Sequence, residues 1–441
     1  MNPNDPITGA VVAPAPRRLF RLPGALQERD FRRFWVGETV SLFGDQATQI
    51  ALPLVGVLAL NASAAEMGYL GAALLFPNLL FSLHAGAWVD RRGHRRETMI
   101  FAALGRAAAL AAIPVAYAFG ALTMTQLYVA SFLIGTLSVL FYVSYSTLFV
   151  SLVPRERYLE ASSWLNGSRA FSYVAGPSLG GLLVQVFSAP VALVMDALSF
   201  VFSALAMHSI QPQEPPTEKA GRGHLKAGMR YIWDSPIIRA KLLSTATINF
   251  FNFVFWALFI LYATRALGVR PGVLGLVLGA GAFGGVLGSL VTGRLSRRFG
   301  VGPVMIAGSV LFPAPLVLVP LAGGGNWTIY ACLFVAEFVS GFGVMLLDIS
   351  ANAITAALVP DRLRARVSGA YMVVNYGVRP LGALAGGALG TWIGLRPTLW
   401  IATVGAIAGV LWLLPSPVTQ VREVSDEGLS VTAPEIVHPS A

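Results

Sequence analysis

The sequence predicts an all-α polytopic membrane protein with twelve transmembrane helices in two six-helix halves. Three observations carry that expectation. The 441 residues are 55% hydrophobic and 12% charged, with a mean hydropathy of +0.68, whereas an average soluble domain is roughly 25% charged. Twelve apolar runs are long enough to cross a hydrocarbon core of roughly 30 Å, which takes about 20 residues of helix. Positions in the two halves match at a constant offset of 206 residues. This composition excludes a soluble enzyme or a nucleic-acid-binding module. The net charge of +10 comes from short basic clusters between apolar runs. A lone cysteine, Cys332, allows no internal disulfide and no thiolate metal site; no metal or cofactor is expected.

In chain order, residues 1–33 form an N-terminal arm with prolines and arginines but no apolar core, so no cleavable signal peptide is expected. Spans follow near 34–60, 66–89, 98–119, 124–152, 160–186 and 190–210, the first bundle (34–210). A polar, proline-bearing connection at 211–239 (QPQEPPTEKAGRG) turns amphipathic toward its end (HLKAGMRYIWDSPIIRA). The second bundle (240–415) holds spans near 240–264, 272–295, 302–322, 327–357, 367–392 and 397–415, and a tail (416–441) is expected to be disordered. Of 31 Lys and Arg residues, 25 fall on the side of the termini, counting Lys241 with the central connection. Three, Arg265, Arg270 and Arg396, fall on the other side. The positive-inside rule then places both termini in the cytoplasm of a cell-membrane protein.

The offset of 206 pairs Asp90-Arg91-Arg92 with Ser296-Arg297-Arg298, Pro114 with Pro320, Val153-Pro154 with Val359-Pro360, and Gly180-Gly181 with Gly386-Gly387. Parallel six-helix repeats around a central loop are a transporter architecture. Polar residues follow the same symmetry. Span 1 carries Glu38, Ser41, Asp45, Thr48 and Gln49 on one face; span 4 carries Ser138, Tyr142 and Tyr145. Span 7 carries Thr245, Asn249 and Asn252, and span 10 carries Glu337, Asp348 and Asn352. Such stripes cannot face lipid, so they are expected to converge on a wet central cavity. Gln49, Tyr142, Asn249, Asn252, Trp256 and Asn352 are the candidate substrate contacts, with Phe141, Phe251 and Phe255 as further aromatic lining.

The loop after span 2 reads GAWVDRRGHRR, residues 86–96. It resembles the G-x-x-x-D-R-x-G-R-[RK] signature of the major facilitator superfamily, through Gly86, Asp90, Arg91, Gly93, Arg95 and Arg96, with His94 where a basic residue is usual. The resemblance implies a gate in which the aspartate caps a neighbouring helix N-terminus, where partial positive charge favours an anion. The second-half copy, TGRLSRRFG, has Ser296 in place of the acid. Span 5 contains Gly176-Pro177-Ser178-Leu179-Gly180-Gly181, which resembles the G-P-x-x-G-G motif of the superfamily's proton-coupled exporters, with Ser172 where an upstream glycine is usual. The entrance to span 1 (RDFRRFWVGETVSLFGDQ), the DALSF stretch and the amphipathic segment before span 7 are similar to the branch containing macrolide-efflux and enterobactin-export proteins. That branch implies export of small, largely apolar molecules, drugs or metabolites, by a chain that functions as a monomer in the bilayer. Many drug–proton antiporters have an arginine in span 4; span 4 here has none, so that relay is not expected.

Protons are the expected coupling ion, with Asp45, Glu38, Glu337 and Asp348 as candidate carriers. Asp45 lies about 16 Å into span 1, near the midplane. Glu38 sits close enough to the cytoplasmic end to snorkel. Asp196 is expected to serve structurally near the start of span 6, and Arg106, Arg169 and Arg379 are candidate ion-pair partners. Five acids against three arginines within the spans lean toward neutral or cationic substrates. An importer on the same fold is the first alternative; a membrane-embedded enzyme or a receptor is disfavoured, since no H-E-x-x-H or G-x-S-x-G occurs. The three lysines, Lys219, Lys226 and Lys241, lie outside any G-x-x-x-x-G-K-[ST] loop, so this chain has no ATP-driven pump site of that type.

Overall fold

A computed structural model of the chain describes residues 24–211, 225–425 and 428–431. The first half contains α1 (Arg29–Leu54, continued by a π-helical turn Val55–Ala59), α2 (Ala64–Arg92) and α3 (Arg95–Ala118). It continues with α4 (Met124–Val150), α5 (Tyr158–Phe187) and α6 (Ala189–His208). The second half contains α7 (Pro236–Arg265), α8 (Pro271–Phe299) and α9 (Val301–Leu311, continued by turns at Ala314–Val317 and Leu318–Leu321). It closes with α10 (Asn326–Leu358), α11 (Asp361–Trp392) and α12 (Leu395–Ala408, continued by Gly409–Trp412). Helix starts pair as 29/236, 64/271, 95/301 and 189/395, close to the offset read from the sequence.

Eleven of these helices are long and apolar enough by composition to span a membrane. The other is α11, whose apolar character is diluted by Asn375, Arg379 and several glycines. Its 32 residues still give about 48 Å of helix.

Local chemistry sets the helix ends. Ser63 and Glu66 form a capping box at the start of α2, with the Ser63 amide donating to Glu66 Oε2 at 2.7 Å. Thr123 and Gln126 repeat the device on α4, with 3.0 Å from the Thr123 amide to Gln126 Oε1. Pro236 and Pro271 occupy the first turn of α7 and α8, where a missing N–H costs nothing. The Pro313 and Pro315 pair breaks α9 into its short continuation.

The amphipathic segment of the central connection forms a helix at Leu225–Asp234. It is packed onto the second half: Ile232 is buried, Gly228 lies against the Arg366 carbonyl, and the Tyr231 hydroxyl donates to the Leu358 carbonyl at 2.7 Å. The expectation of a disordered tail fails over its first part. A turn at Pro417–Gln420 leads into a hairpin, β1 (Val421–Ser425) and β2 (Gly428–Val431). Val418 and Val421 are buried, and Arg422 donates to the Phe299 carbonyl at 3.1 Å, capping α8. Apolar burial against Gly302, where a Cβ would come within 1.8 Å of the Val418 carbonyl, holds the segment down. Residues 432–441 of that tail lie outside the described residues.

The halves meet at the end opposite the termini. A Cβ on Gly181 of α5 would approach Pro271 O to 2.5 Å and Gly275 Cα to 2.8 Å, and Gly68 of α2 faces Gly387 of α11 just as closely. Gln185 accepts a hydrogen bond from the Gly272 amide at 2.9 Å across the same seam. Small residues let these backbones touch. The glycine contacts continue inward to Gly279 against the Val174 carbonyl and Gly377 against Leu79. Gly279 is about 12 Å along its helix from the sealed end, and Val174, Leu79 and Gly377 are about 20 Å along theirs. Beyond them the polar residues Tyr142, Asp348 and Asn352 are exposed, so a cleft opens toward the termini.

Candidate substrate and coupling site

In the first half, α1, α3, α4 and α6 bring one charge cluster together. Arg106 of α3 is 1% exposed and lies 3.8 Å from Asp45 Oδ1 of α1. Its guanidinium is held between two rings, 4.3 Å from the Phe141 centroid and 4.1 Å from that of Phe200. The side chain of Asp45 keeps 26% exposure. One carboxylate thus has a fixed cation on one side and access to solvent on the other. Glu38 is buried rather than snorkelling, with Oε2 lacking a hydrogen-bond partner, and acts electrostatically on Asp45, Arg106 and Arg169. Tyr142 borders Asp45 and Glu38 and is exposed.

Asp196 serves structurally, but not at a helix start: it lies inside α6, completely buried. It accepts from the Thr48 hydroxyl and, at 2.9 Å, from that of Ser199. The single polar face read on span 1 is therefore divided. Thr48 turns to α6, and Gln46 packs on Gly176 of α5. Gln49 is exposed.

The second half holds a cluster whose key residue the sequence reading placed in a loop. Lys241 lies inside α7 and is 4% exposed. Its ammonium donates to the Thr355 hydroxyl of α10, sits 4.6 Å from the Tyr371 ring and acts electrostatically on Asp348. The signal was available: Lys241, Thr245 and Asn249 follow at four-residue spacing along one stripe. The Tyr371 hydroxyl donates to Thr245 Oγ1 at 2.8 Å, and the Asn249 amide donates to the Thr245 carbonyl at 3.0 Å. Asn252 is half-buried.

Arg379 of α11 stacks 4.3 Å from the Tyr376 ring and 5.3 Å from that of Phe253. Glu337 stands apart from this cluster. It is 5% exposed, pressed against Gly281 between α8 and α10, with Oε1 unpartnered. Three expected lining aromatics are packed instead. Phe141 and Phe255 are buried, and Phe251 lies against Gly405 of α12. Trp256 is half-buried, edge-on to Phe259 at 5.3 Å.

In the loop after α2, Gly93 (φ 64°) and His94 (φ 49°) turn the chain into α3. Arg95 is buried, Arg91 is exposed, and Arg96 donates to the His208 carbonyl at 3.4 Å, tying this loop to the end of α6. A Cβ on Gly86 would meet nothing within 4 Å. The Asp90 side chain lies outside the described residues. The helix-5 motif divides its work: Gly176 and Gly180 admit Gln46 and Ala47 of α1, whereas Gly181 meets the other half; Pro177 lies inside α5.

Twelve helices in two repeated halves, closed at one end around glycine and open at the other over intramembrane charges, define a secondary transporter of major facilitator type. The chain belongs to the family described as transmembrane secretion effector, whose profile matches residues 24–438. It is similar to the multidrug efflux pump Tap of Mycolicibacterium fortuitum, 27% identical over 80% of this chain and 88% of that protein. The multidrug efflux pump Tap of Mycobacterium tuberculosis is 26% identical over 80% and 85%. Among solved structures, a point mutant of the nucleoside transporter NupG superposes with a TM-score of 0.72 at 11% identity, covering 88% of this chain and 99% of that one. A bacterial homologue of the iron transporter ferroportin in an inward-facing state also gives 0.72, at 16% identity over 88% and 98%. The protein is a transporter and not an enzyme.

Proposed function

We propose that the protein exports small, largely apolar compounds, drugs or secondary metabolites, from the cytoplasm by alternating access, in exchange for protons. Both termini then lie in the cytoplasm, and the cleft described above is the inward-facing one. The names of the efflux pumps similar to this chain support the direction, as does Gly181 of the exporter-type motif, which sits in the outer seal. Asp90 is the proposed inner latch of the opposite state.

The observation that carries the coupling is the setting of Asp45. Its carboxylate faces a cation that cannot leave, since Arg106 is wedged between two rings, while its other side reaches the cleft. Protonating Asp45 leaves the guanidinium charge unanswered at that position. Glu38 feels the change through its interaction with both groups. Charge rearrangement inside α1 and α3 thereby follows proton occupancy. A membrane potential adds roughly 2.3 kcal/mol per charge per 100 mV to proton uptake from outside.

Proteoliposomes with an imposed pH gradient test this. Asp45→Asn, which mimics the protonated form, is expected to abolish gradient-driven export of a neutral lipophilic dye while retaining dye binding. Asp45→Glu keeps part of the activity. Accumulation by Asp45→Asn equal to that of the natural protein would move the coupling to Glu337 or Asp348.

A further inference from the structure

The charges of the two halves are answered differently. In the first half, Arg106 has a counter-charge in Asp45 at 3.8 Å, even though Glu38 Oε2 and the Nε and Nη2 of Arg106 lack hydrogen-bond partners among the described residues. In the second half, two groups at the cleft have no counter-charge that close. Arg379 has no hydrogen-bond or ion-pair partner among the described residues, and its Nε is buried without an acceptor. Asn375, one turn earlier on α11, has Oδ1 buried without a donor. Asp348 on α10 is exposed and without a hydrogen bond or close ion pair, with Asn352 exposed one turn further on.

Asp348 and Arg379 interact electrostatically, but more loosely than an ion pair. Lys241, which could have neutralised Asp348, is engaged with the Thr355 hydroxyl and the Tyr371 ring. Unmet polar atoms at such a place call for a partner from outside the chain. An unpaired arginine within a span is costly to keep unless it has a task.

We propose, resting on the exporter reading above, that Arg379 and Asp348 form a dipolar subsite for substrates that carry both an anionic and a cationic group on an aromatic body. Arg379 takes the anionic oxygen and Asp348 the cationic group. The aromatic faces that already hold the guanidinium keep its fork pointed for a planar acceptor. Lys241, which interacts electrostatically with Asp348, offsets that acid's charge. The lean toward neutral or cationic substrates came from counting acids against arginines alone and left Lys241 out. Lys241, inside α7, adds a buried basic group to that balance.

The test uses a matched pair of dyes: a rhodamine free acid, a zwitterion, and its methyl ester, a monocation of nearly the same shape. Binding to the full chain in detergent is read by fluorescence anisotropy, which needs no transport. Failure of the exporter reading, seen as absent gradient-driven efflux, therefore leaves this result independent.

The natural protein is expected to bind the free acid about tenfold tighter than the ester, the low end for a charge-assisted hydrogen bond. Arg379→Gln brings that ratio to about one, and Arg379→Lys retains most of it. Asp348→Asn weakens both dyes together, because both carry the cation. Equal binding of the two dyes by the natural protein, or by neither, overturns the proposal. So does an unchanged ratio in Arg379→Gln. Should that variant fail to fold, the natural protein's ratio and that of Arg379→Lys decide the matter.

Discussion

Replacing Gly181 with alanine perturbs the glycine seal between the halves, the outer one in the proposed orientation, at a point where backbone atoms face the added carbon. The added Cβ would lie 2.5 Å from the Pro271 carbonyl and 2.8 Å from Gly275 Cα, backbone atoms in both cases. Relief to an ordinary contact requires α5 and α8 to part by something under an ångström. Overpacking of this kind costs about 1–3 kcal/mol. The cost is borne by the closed seal alone, so the outward-open population should rise by roughly 5- to 150-fold. Spin labels at Phe187 and Ala266, exposed residues beside the seam on either half, read this directly. The natural protein should give mainly a short distance, and Gly181→Ala should add a longer one. Gly180→Ala is the control. Its Cβ would meet Ala47 Cα at 2.7 Å, within the same half, so it should lower stability without changing the distance. A Gly181→Ala variant with the original distance distribution would refute the seal assigned to this glycine.

Asp45→Asn should lower the midpoint of thermal unfolding in detergent by the equivalent of roughly 2 kcal/mol, because a buried guanidinium loses its counter-charge. Adding Arg106→Met should return more than half of that; strictly additive losses would show that the two residues do not interact. Gly302→Ala should detach the segment around Val418, read as faster tryptic cleavage after Arg422, and unchanged cleavage would show that the contact is dispensable. For topology, cysteines placed at Ser63 and Gly324 should react with an impermeant thiol reagent in intact cells, and one at Lys219 should not. The opposite pattern would invert the orientation.

Helix count and repeat were legible because each follows from periodicity and composition, whereas the polar face read on span 1 proved divided between packing and exposure. Packing partners were not legible. Arg106 was a candidate ion-pair residue, yet its pairing with Asp45 depends on how α1 and α3 cross, which no spacing within either helix records. Lys241 was missed for a different reason: a charge near a span boundary reads as loop, and only the start of α7 at Pro236 carries it inside. The aromatics on span 7 show the limit of composition. Trp256 and Phe255 are neighbours in sequence, yet Phe255 is buried and Trp256 only half so. The ordered tail escaped notice because Val418 and Val421 are too few to register as an apolar run. Their burial relies on a glycine more than a hundred residues away.

The docking of Leu225–Asp234 on the second half bears on how such a protein is made. Tyr231 closes the last carbonyl of α10 and Gly228 rests on the start of α11, so this helix completes the second half before α7 begins. The first half, for its part, is finished by Arg96 and Arg33 bonding the carbonyls at the end of α6. Each half thus carries its own trim on either side of the central connection. A polypeptide synthesised in two pieces, parted inside that connection, would leave the ribosome as two self-contained bundles. They would need only to find each other in the plane of the membrane along a seam of bare glycine.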